Sequence, residues 1–297
     1  MAHVAIVTDA ASRGRGPERA AMKAYVEGAS RFGHVARVID VQELQTLPHY
    51  DAVFLRLDTS VLGLSFAASR YAWELGLRTV DDPNSLLTCM NKAHVQGLLE
   101  RANVPTPQTI LLTRNGYDAL DPEAIFAELG TPVVCKAPNG AFSKAVEKAY
   151  TSDELQAVLR KFTQRSDVTL LQAYTPSRFD WRIGLLCGEP LYAARYHIPE
   201  GGWRIHDKPE GAARKQWARV ERVRLEDVPA DVMDAALAAG NAIGTSLYGV
   251  DIKETDAGIV VIEVNDNPNM DAGAELPAQG VIYGDIIDRI AERGPRA

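Results

Sequence analysis

Tyr248-Gly-Val-Asp-Ile-Lys-Glu-Thr-Asp-Ala-Gly-Ile-Val-Val-Ile-Glu-Val-Asn265 is the stretch whose reading decides the fold. Two runs rich in β-branched residues, joined by a turn that contains glycine, describe a β-hairpin. Strand side chains alternate with period two, so Asp251 shares a face with Lys253, and Glu263 shares one with Asn265. Val250 and Ile252, then Val260, Ile262 and Val264, take the opposite, apolar face. A three-residue turn at Asp256-Ala257-Gly258, with glycine where φ > 0 is wanted, sets Asp251 directly opposite Glu263. The two carboxylates then lie within about 5 Å of each other. Like charges that close are unfavourable unless a hard cation sits between them. An all-oxygen set with open positions suits Mg²⁺, with Mn²⁺ as the alternative ion, better than zinc. Mg²⁺ keeps waters and takes nucleotide phosphates, which points to ATP. The same alternation also describes an exposed edge hairpin with charged residues on its wet face.

Outward from the hairpin, the chain of 297 residues is long enough to bury a sizeable core and to split into two or three lobes. Its net charge is −7, from 39 acidic and 32 basic residues with no block of like charge, which argues against nucleic acid as a main partner. Cys89, Cys135 and Cys187 lie far apart and make no metal-type spacing, as expected in a reducing compartment; Cys135 belongs to an apolar strand. The six histidines give no pair at ligand spacing, which argues against a zinc site. The chain opens with a strand, His3-Val-Ala-Ile-Val7, rather than a basic-then-apolar leader, and no apolar run approaches a membrane span. A cytoplasmic protein without a membrane partner is the expectation.

The first part alternates strand and helix: Val4–Thr8, Pro17–Phe32, Val35–Ile39, Ala52–Arg56, Phe66–Leu75 and Thr79–Asp81. That order predicts a parallel α/β lobe. Ser85 is read as the N-cap of one helix, Ser85–Asn103, and Val104-Pro-Thr-Pro107 as the break into a second lobe. The second lobe has strands Thr109–Leu112, Pro132–Lys136 and Thr169–Tyr174, with helices near Pro122–Leu129 and Ser152–Gln164. Strands Trp181–Leu186 and Pro190–His197, a helix across Asp231–Ile243, the hairpin and a final helix from Gly284 complete a third.

Lys136 ends the apolar run Val133-Val-Cys-Lys136 and is followed by a small-residue loop, Ala137-Pro-Asn-Gly-Ala-Phe-Ser-Lys-Ala-Val146. A lysine delivered by a buried strand to such a loop can grip phosphate, and an Asn-Gly hairpin turn with a solvated lysine fits the same residues. The loop is not a Walker A motif, because no Gly-Lys-Ser/Thr follows the glycine. Gly14-Arg-Gly-Pro-Glu-Arg19 fails as a dinucleotide fingerprint, since its third glycine is missing. Arg182, Arg195 and Arg204 fall in a polar β segment, and Arg182 follows Asp180 by two residues so that both share a face. Arginine forks fit carboxylates and phosphates and neutralise charge that develops in phosphoryl transfer, although exposed strand arginines are also common.

In this order, the pieces resemble the ATP-grasp superfamily, and within it the RimK-like glutamate ligases and the glutathione-synthetase-like group. The resemblance runs over nearly the whole chain. Its most specific part is Gly249-Val-Asp-Ile-Lys253 followed by Ile262-Glu-Val-Asn-Asp-Asn-Pro-Asn269. It implies an ATP-grasp fold with an N-terminal parallel α/β lobe (1–88), a small central lobe (89–173) and a C-terminal β-rich lobe (174–297). It implies that Asp251, Glu263 and Asn265 hold two Mg²⁺ ions against the ATP phosphates. Asn91-Lys-Ala resembles the family's entry helix, which makes Lys92 a phosphate contact, and Lys136 resembles the strand lysine that reaches the α and β phosphates. Leu171-Gln-Ala-Tyr174 is similar to the hinge that reads adenine, which assigns Gln172, Ala173 and Tyr174 to the nucleotide, and Asp180 stands in the place of a ribose-binding acid. Asp180-Trp-Arg182 matches an Asp-x-Arg motif, and Arg204 in Gly202-Trp-Arg-Ile-His206 matches a substrate- or phosphate-binding arginine. Two departures stand out. The loop over the phosphates, with Ser143 as its nucleotide contact, is Gly140-Ala-Phe-Ser-Lys-Ala-Val146, with alanines where glycines are common; and Asp266-Asn-Pro-Asn269 replaces a small-residue ending.

The implied activity is an ATP- and Mg²⁺-dependent carboxylate–amine ligase that works through an acyl phosphate. Arg182 and Arg204 would stabilise the transferring group. Arg56, at the carboxyl end of a strand, is expected to meet the acceptor carboxylate, with Arg195 and Asn267 beside the substrate and Tyr196, His197, Trp203 and His206 selecting it. The partners would be small carboxylates and amines, or the carboxylate of a peptide or protein, and relatives' habits make a homo-oligomer the expected assembly. A non-catalytic nucleotide-binding module is the competing class, and an intact metal triad argues against it.

Overall fold

The computed structural model describes residues 1–9, 16–60, 63–139, 145–164, 166–207, 216–256 and 258–297. The first sheet contains β1 (His3–Thr8), β2 (Val35–Asp40), β3 (Ala52–Arg56) and β4 (Arg78–Val80) in the order β2-β1-β3-β4, all parallel. Val4 through Val7 are buried on both faces, as parallel strands covered by helices must be. Helices α1 (Gly16–Arg31) and α2 (Leu64–Glu74) follow β1 and β3.

The long helix read across 85–103 is two helices. α3 (Pro83–Cys89) is capped by Asp82 rather than Ser85, the carboxylate accepting from the Asn84 and Ser85 amides. α4 (Lys92–Arg101) has its own cap, Asn91, whose side chain accepts from Ala93 N at 3.0 Å. A helix-start signal inside the apolar pattern reset the chain direction, and that places Lys92 at a helix N-terminus.

The second sheet, β5-β8-β6-β7, is antiparallel and contains β5 (Thr109–Thr113), β6 (Val133–Lys136), β7 (Val146–Ala149) and β8 (Val168–Ala173). α5 (Pro122–Leu129) and α6 (Ser152–Thr163) pack Ile125, Leu155 and Leu159 against its Cys135 and Leu171 face. The opposite face carries Lys136 and Gln172, because residues two apart share a side.

The third sheet, β13-β10-β9-β14-β15, is antiparallel throughout. It is built from β9 (Phe179–Leu186), β10 (Glu189–His197), β13 (Arg219–Val223), β14 (Leu247–Thr255) and β15 (Gly258–Asp266), while β11 (His206–Asp207) and β12 (Gln216–Trp217) form a separate ribbon. Trp181, Ile183, Val250 and Ile252 point to one side, onto α4 and α7 (Ala230–Ile243). Asp180, Arg182, Asp251 and Lys253 point to the other.

The hairpin closes differently from the turn read in the sequence. Thr255 already pairs with Gly258, which shortens the connection by one residue, and an irregularity between Asp251 and Ile252 then inserts one extra residue on β15. The two changes cancel, so Asp251 still pairs with Glu263. A bulge shifts the alternation by one. Val261 and Val264 therefore enter the core, whereas Ile262, expected on that apolar face, lines the cleft beside Glu263.

The last helix, α8 (Ile282–Arg293), returns to the first sheet. Tyr283, Ile286, Ile287 and Ile290, spaced as one helical stripe, are fully buried with Tyr25 and Phe54, each contributing about 1.5–3 kcal/mol. α8 meets α1 at a pair of glycines: a Cβ on Gly28 would lie 2.5 Å from Gly284 N.

Candidate active site

A cleft of about 750 Å³, open to solvent, lies between the second and third sheets. At one end stand the charged side chains of β14 and β15. Arg182 reaches across from β9 and binds Asp251 through both its Nε and its Nη2, the latter at 2.9 Å from Oδ2. Gly249 makes that reach possible, since a Cβ there would come within 2.9 Å of Arg182 Cδ and 2.7 Å of Pro268 Cβ. Asn265 Nδ2 also donates to Asp251 Oδ2, at 3.1 Å. Lys92, from the first turn of α4, forms an ion pair with Glu263 at 2.9 Å. Lys136 enters the same space from β6.

Burial dominates the electrostatics here. It pushes Lys136 down to about 8, an effect opposed by Glu263 and reinforced by Lys92 and Lys253. Burial pushes the Asp251 carboxyl up against the pull of Arg182. Glu263 would be raised by burial as well, but Lys92 and Lys136 hold it below the usual range. Asp266, one residue past Asn265, is raised by burial to about 7. Asp81 is raised by burial and by Asp266, with Arg56 pulling the other way.

This donor set fits a hard cation that is shared with a phosphate chain. Two carboxylates and one amide oxygen converge, all oxygen, and among the described residues no group of three or more His, Cys, Asp or Glu side chains forms an all-protein cage. Mg²⁺ is typically held by one or two carboxylates plus substrate phosphates and water. Asn265, whose Nδ2 is engaged by Asp251, has its amide oxygen left for such an ion.

The same cleft also has an apolar and aromatic lining. Val134, Ala173, Tyr174, Ile262 and Trp203 line it. Gln172, nearly buried, donates from Nε2 to Thr109 Oγ1 at 2.9 Å, and Thr109 in turn donates to Pro107 O at 2.8 Å. Lys148 Nζ sits 3.5 Å from the Tyr174 ring centroid and 4.5 Å from that of Trp203. Arg204 donates from Nη1 to Val146 O at 3.0 Å, which ties the third-sheet segment to β7 across the cleft mouth. Asp180 is paired with Lys253, whose Nζ also donates to Ser177 Oγ at 2.8 Å.

The structure therefore brings Lys92, Lys136, Gln172, Ala173, Tyr174, Asp180, Arg204, Asp251 and Glu263 to one cleft, with Arg182 and Asn265 joined to Asp251 at its wall. Ser143 lies outside the described residues. Arg56 and Asn267 meet each other instead of the cleft: Arg56 Nη1 donates to Asn267 Oδ1 and to Pro268 O at 3.3 Å, and Asn267 Nδ2 donates to Leu57 O at 2.6 Å. Arg195 is the residue that the fold turns away. It pairs in register with Trp181, so it emerges on the α7 side and stacks over the Trp181 ring at 4.4 Å. His197 is on that side too, bound to Glu221. Tyr196 faces the cleft side, 5.2 Å from the Arg182 guanidinium, with its hydroxyl on Glu275. The side chain of His206 lies outside the described part of the molecule. Sequence reasoning missed Lys253 as a partner of Asp180 and Lys148 as a cation beneath two aromatic rings. The period-two link between Asp251 and Lys253 was the one available signal.

The profile of the RimK-like ATP-grasp domain matches residues 89–276, close to two thirds of the chain. The chain belongs to the RimK-like ATP-grasp family. It is 24% identical to a probable alpha-L-glutamate ligase of Shewanella denitrificans over 95% of this chain and 97% of the relative. It is 26% identical to a D-alanine–D-alanine ligase of Methylacidiphilum infernorum over 98% of this chain and 94% of that one. Among solved structures, the D-alanine–D-alanine ligase of Bacillus anthracis superposes with a TM-score of 0.73 at 18% identity, covering 99% of this chain and 97% of its own. The fold is thus the ATP-grasp fold, and this RimK-like protein is an ATP-dependent carboxylate–amine ligase that forms a carbon–nitrogen bond. No helix among the described residues is long and apolar enough to cross a membrane.

Proposed function

We propose that this RimK-like ligase activates the carboxylate of an amino acid or small peptide as an acyl phosphate and transfers the acyl group to an amine. A carboxylate oxygen attacks the γ-phosphorus, the bond to the β-phosphate oxygen breaks, and ADP leaves. The amine nitrogen then attacks the acyl carbon, loses a proton, and inorganic phosphate departs as the amide forms. Positioning and charge neutralisation carry such a reaction, with little demand for proton transfer by the protein. Asp251, Glu263 and Asn265 would hold Mg²⁺, which supplies charge neutralisation at the phosphates. Lys92 and Lys136 grip the phosphate chain; Gln172, Ala173 and Tyr174 take the base, and Asp180 the ribose. Arg182 and Arg204 stabilise the transferring group, and Arg56 and Asn267 belong to the acceptor side.

The observation that carries this reading is the row Lys92, Glu263, Asp251 and Arg182, held by hydrogen-bonded pairs at a cleft that apolar and aromatic side chains also line. That combination suits a nucleotide, which is flat and apolar at one end and polyanionic at the other. The two relatives named above carry an amino acid in their names, which supports an amino acid as one of the substrates. The division into lobes at 1–88, 89–173 and 174–297, a cytoplasmic location and a homo-oligomeric assembly belong to the same reading; Cys89, Cys135 and Cys187 are free thiols, as a reducing compartment allows.

The test is phosphate release from ATP and Mg²⁺ with pooled amino acids and dipeptides, with product masses read in parallel. A new mass equal to two pool members less water is expected. Glu263→Ala should lower turnover by at least about 100-fold, as loss of a preorganised charge-stabilising group does. Unchanged turnover in that variant would remove the hairpin from the mechanism.

A further inference from the structure

The cleft face of β9 and β14 carries two ion pairs in successive register. Arg182 binds Asp251, its register partner. Ile252 pairs with Trp181, so Lys253 and Asp180 meet one two-residue step further along, about 7 Å from the first pair. The polarity is reversed between the two: β9 supplies the cation to the first pair and the anion to the second. Lys253 is 8% exposed, in the wall of the cleft that Lys136, Tyr174 and Thr175 also line. An ammonium group so enclosed is costly unless it is paired and hydrogen-bonded.

Donors and acceptors show what the second pair offers a ligand. Asp180 Oδ1 accepts from Ser177 Oγ at 2.9 Å and from Lys253 Nζ, and Lys253 Nζ also donates to Ser177 Oγ at 2.8 Å. An ammonium group has three N–H donors and a carboxylate two oxygens. That triangle uses two of the donors and one of the oxygens. Among the described residues, no group takes the third N–H of Lys253 or the Oδ2 of Asp180, and both residues line the open cleft. Since each charge offsets the other, the pair is a weak grip for a polyanion. It presents one donor beside one acceptor. A hydroxyl both donates and accepts, so two adjacent hydroxyls match that edge: one donates to Asp180 Oδ2, and its neighbour accepts from Lys253 Nζ.

We propose that Lys253 is a specificity-determining residue that reads the sugar of the nucleotide. Together with Asp180 it binds the 2′,3′-diol, and it thereby selects a ribonucleotide over a deoxyribonucleotide. This deepens the nucleotide reading above and rests on its assignment of the ribose to Asp180; the part played by Lys253 comes from the spare donor and its place in the cleft wall. The register agrees with the order of groups in a nucleotide, in which the sugar follows the phosphates as the second pair follows Asp251. A lysine that only neutralised Asp180 would, when lost, weaken every nucleotide alike.

The test is titration calorimetry of ATP, 2′-deoxy-ATP and 3′-deoxy-ATP with the full chain and Mg²⁺. At least one deoxynucleotide should bind about 10-fold more weakly than ATP, as expected for loss of a hydrogen bond to a charged group. Lys253→Met, similar in length and uncharged, should bring the ratio of ATP to that deoxynucleotide close to one, whatever it does to ATP affinity itself. If this variant does not fold because Asp180 is left without its cation, Asp180→Asn and the double variant Asp180→Asn, Lys253→Met decide. The single variant should keep part of the preference for ATP, and the double variant should lose it. A preference unmoved by loss of Lys253 but lost in Asp180→Asn would overturn the role of Lys253 and leave the ribose at Asp180. Equal binding of all three nucleotides by the parent protein would overturn both, and absence of ATP binding would remove the nucleotide reading itself.

Discussion

Lys136 shows how far one buried side chain can set the behaviour of the nucleotide site. Burial brings its ammonium group down to about 8, so it is charged and able to bind a polyphosphate below that pH and loses this ability as pH rises through it. Between pH 7 and pH 9 the affinity for ATP should fall about tenfold, because only the protonated fraction of the free protein is competent. Lys136→Arg, with a guanidinium that does not titrate there, should flatten the profile; titration calorimetry across that range decides, and an equal slope in both proteins would assign the proton elsewhere. Arg182 makes a different demand. It is the counter-ion of Asp251, and both side chains are largely shielded from water. Arg182→Ala leaves a carboxylate buried without its cation, which should cost about 3–5 kcal/mol in urea unfolding, well beyond a surface pair. A loss below about 1 kcal/mol would mean that water reaches Asp251.

At the scale of elements, the β14–β15 hairpin succeeds by two deviations rather than none. A shortened loop alone would pair Asp251 with Ile262 and send Glu263 into the core; the bulge restores Glu263 and turns Ile262 into cleft lining. The α1–α8 crossing is the second element-level device. With Gly28 and Gly284 in contact, the two backbones approach as no pair with side chains could. Gly28→Ala should therefore lower stability by about 1–3 kcal/mol through overpacking, although alanine is the better helix former. Thermal and urea melts read this, and a variant as stable as the parent would show that the helices can slide apart at no cost.

For the whole molecule, the consequential fact is that the chain ends where it began. α8 supplies Tyr283, Ile286, Ile287 and Ile290 to the core of the first sheet, and His34 Nε2 bonds to Asp288 Oδ1 at 2.9 Å while its Nδ1 accepts from Ala2 N. Truncation before Ile282 should strip amide-exchange protection from β1 and β3 while the second sheet, which has its own core, keeps it. Equal protection in both proteins would make α8 an accessory rather than a wall.

The sequence by itself determined what is written at spacings of two to four residues. Glu263 and Asn265 on one strand face, Lys136 at the end of an apolar strand, and the alternation of strand and helix in the first sheet were legible there, whereas Asp251 opposite Glu263 followed from a turn read one residue too long, which a bulge offset. These are local consequences of backbone periodicity, and the family resemblance extended them to ATP and a ligase. Only the tertiary structure decided the rest. Arg195 and Arg182 look alike in sequence, yet the β9–β10 register, which has its own irregularity near Pro190, puts them on opposite faces of one sheet. The pairing of Lys92 with Glu263, of Asp180 with Lys253 and of Arg56 with Asn267, like the return of α8, joins residues that are dozens to more than two hundred positions apart. Such contacts follow from how separately folded layers pack and which charges their burial leaves in need of a partner, and no local pattern records that.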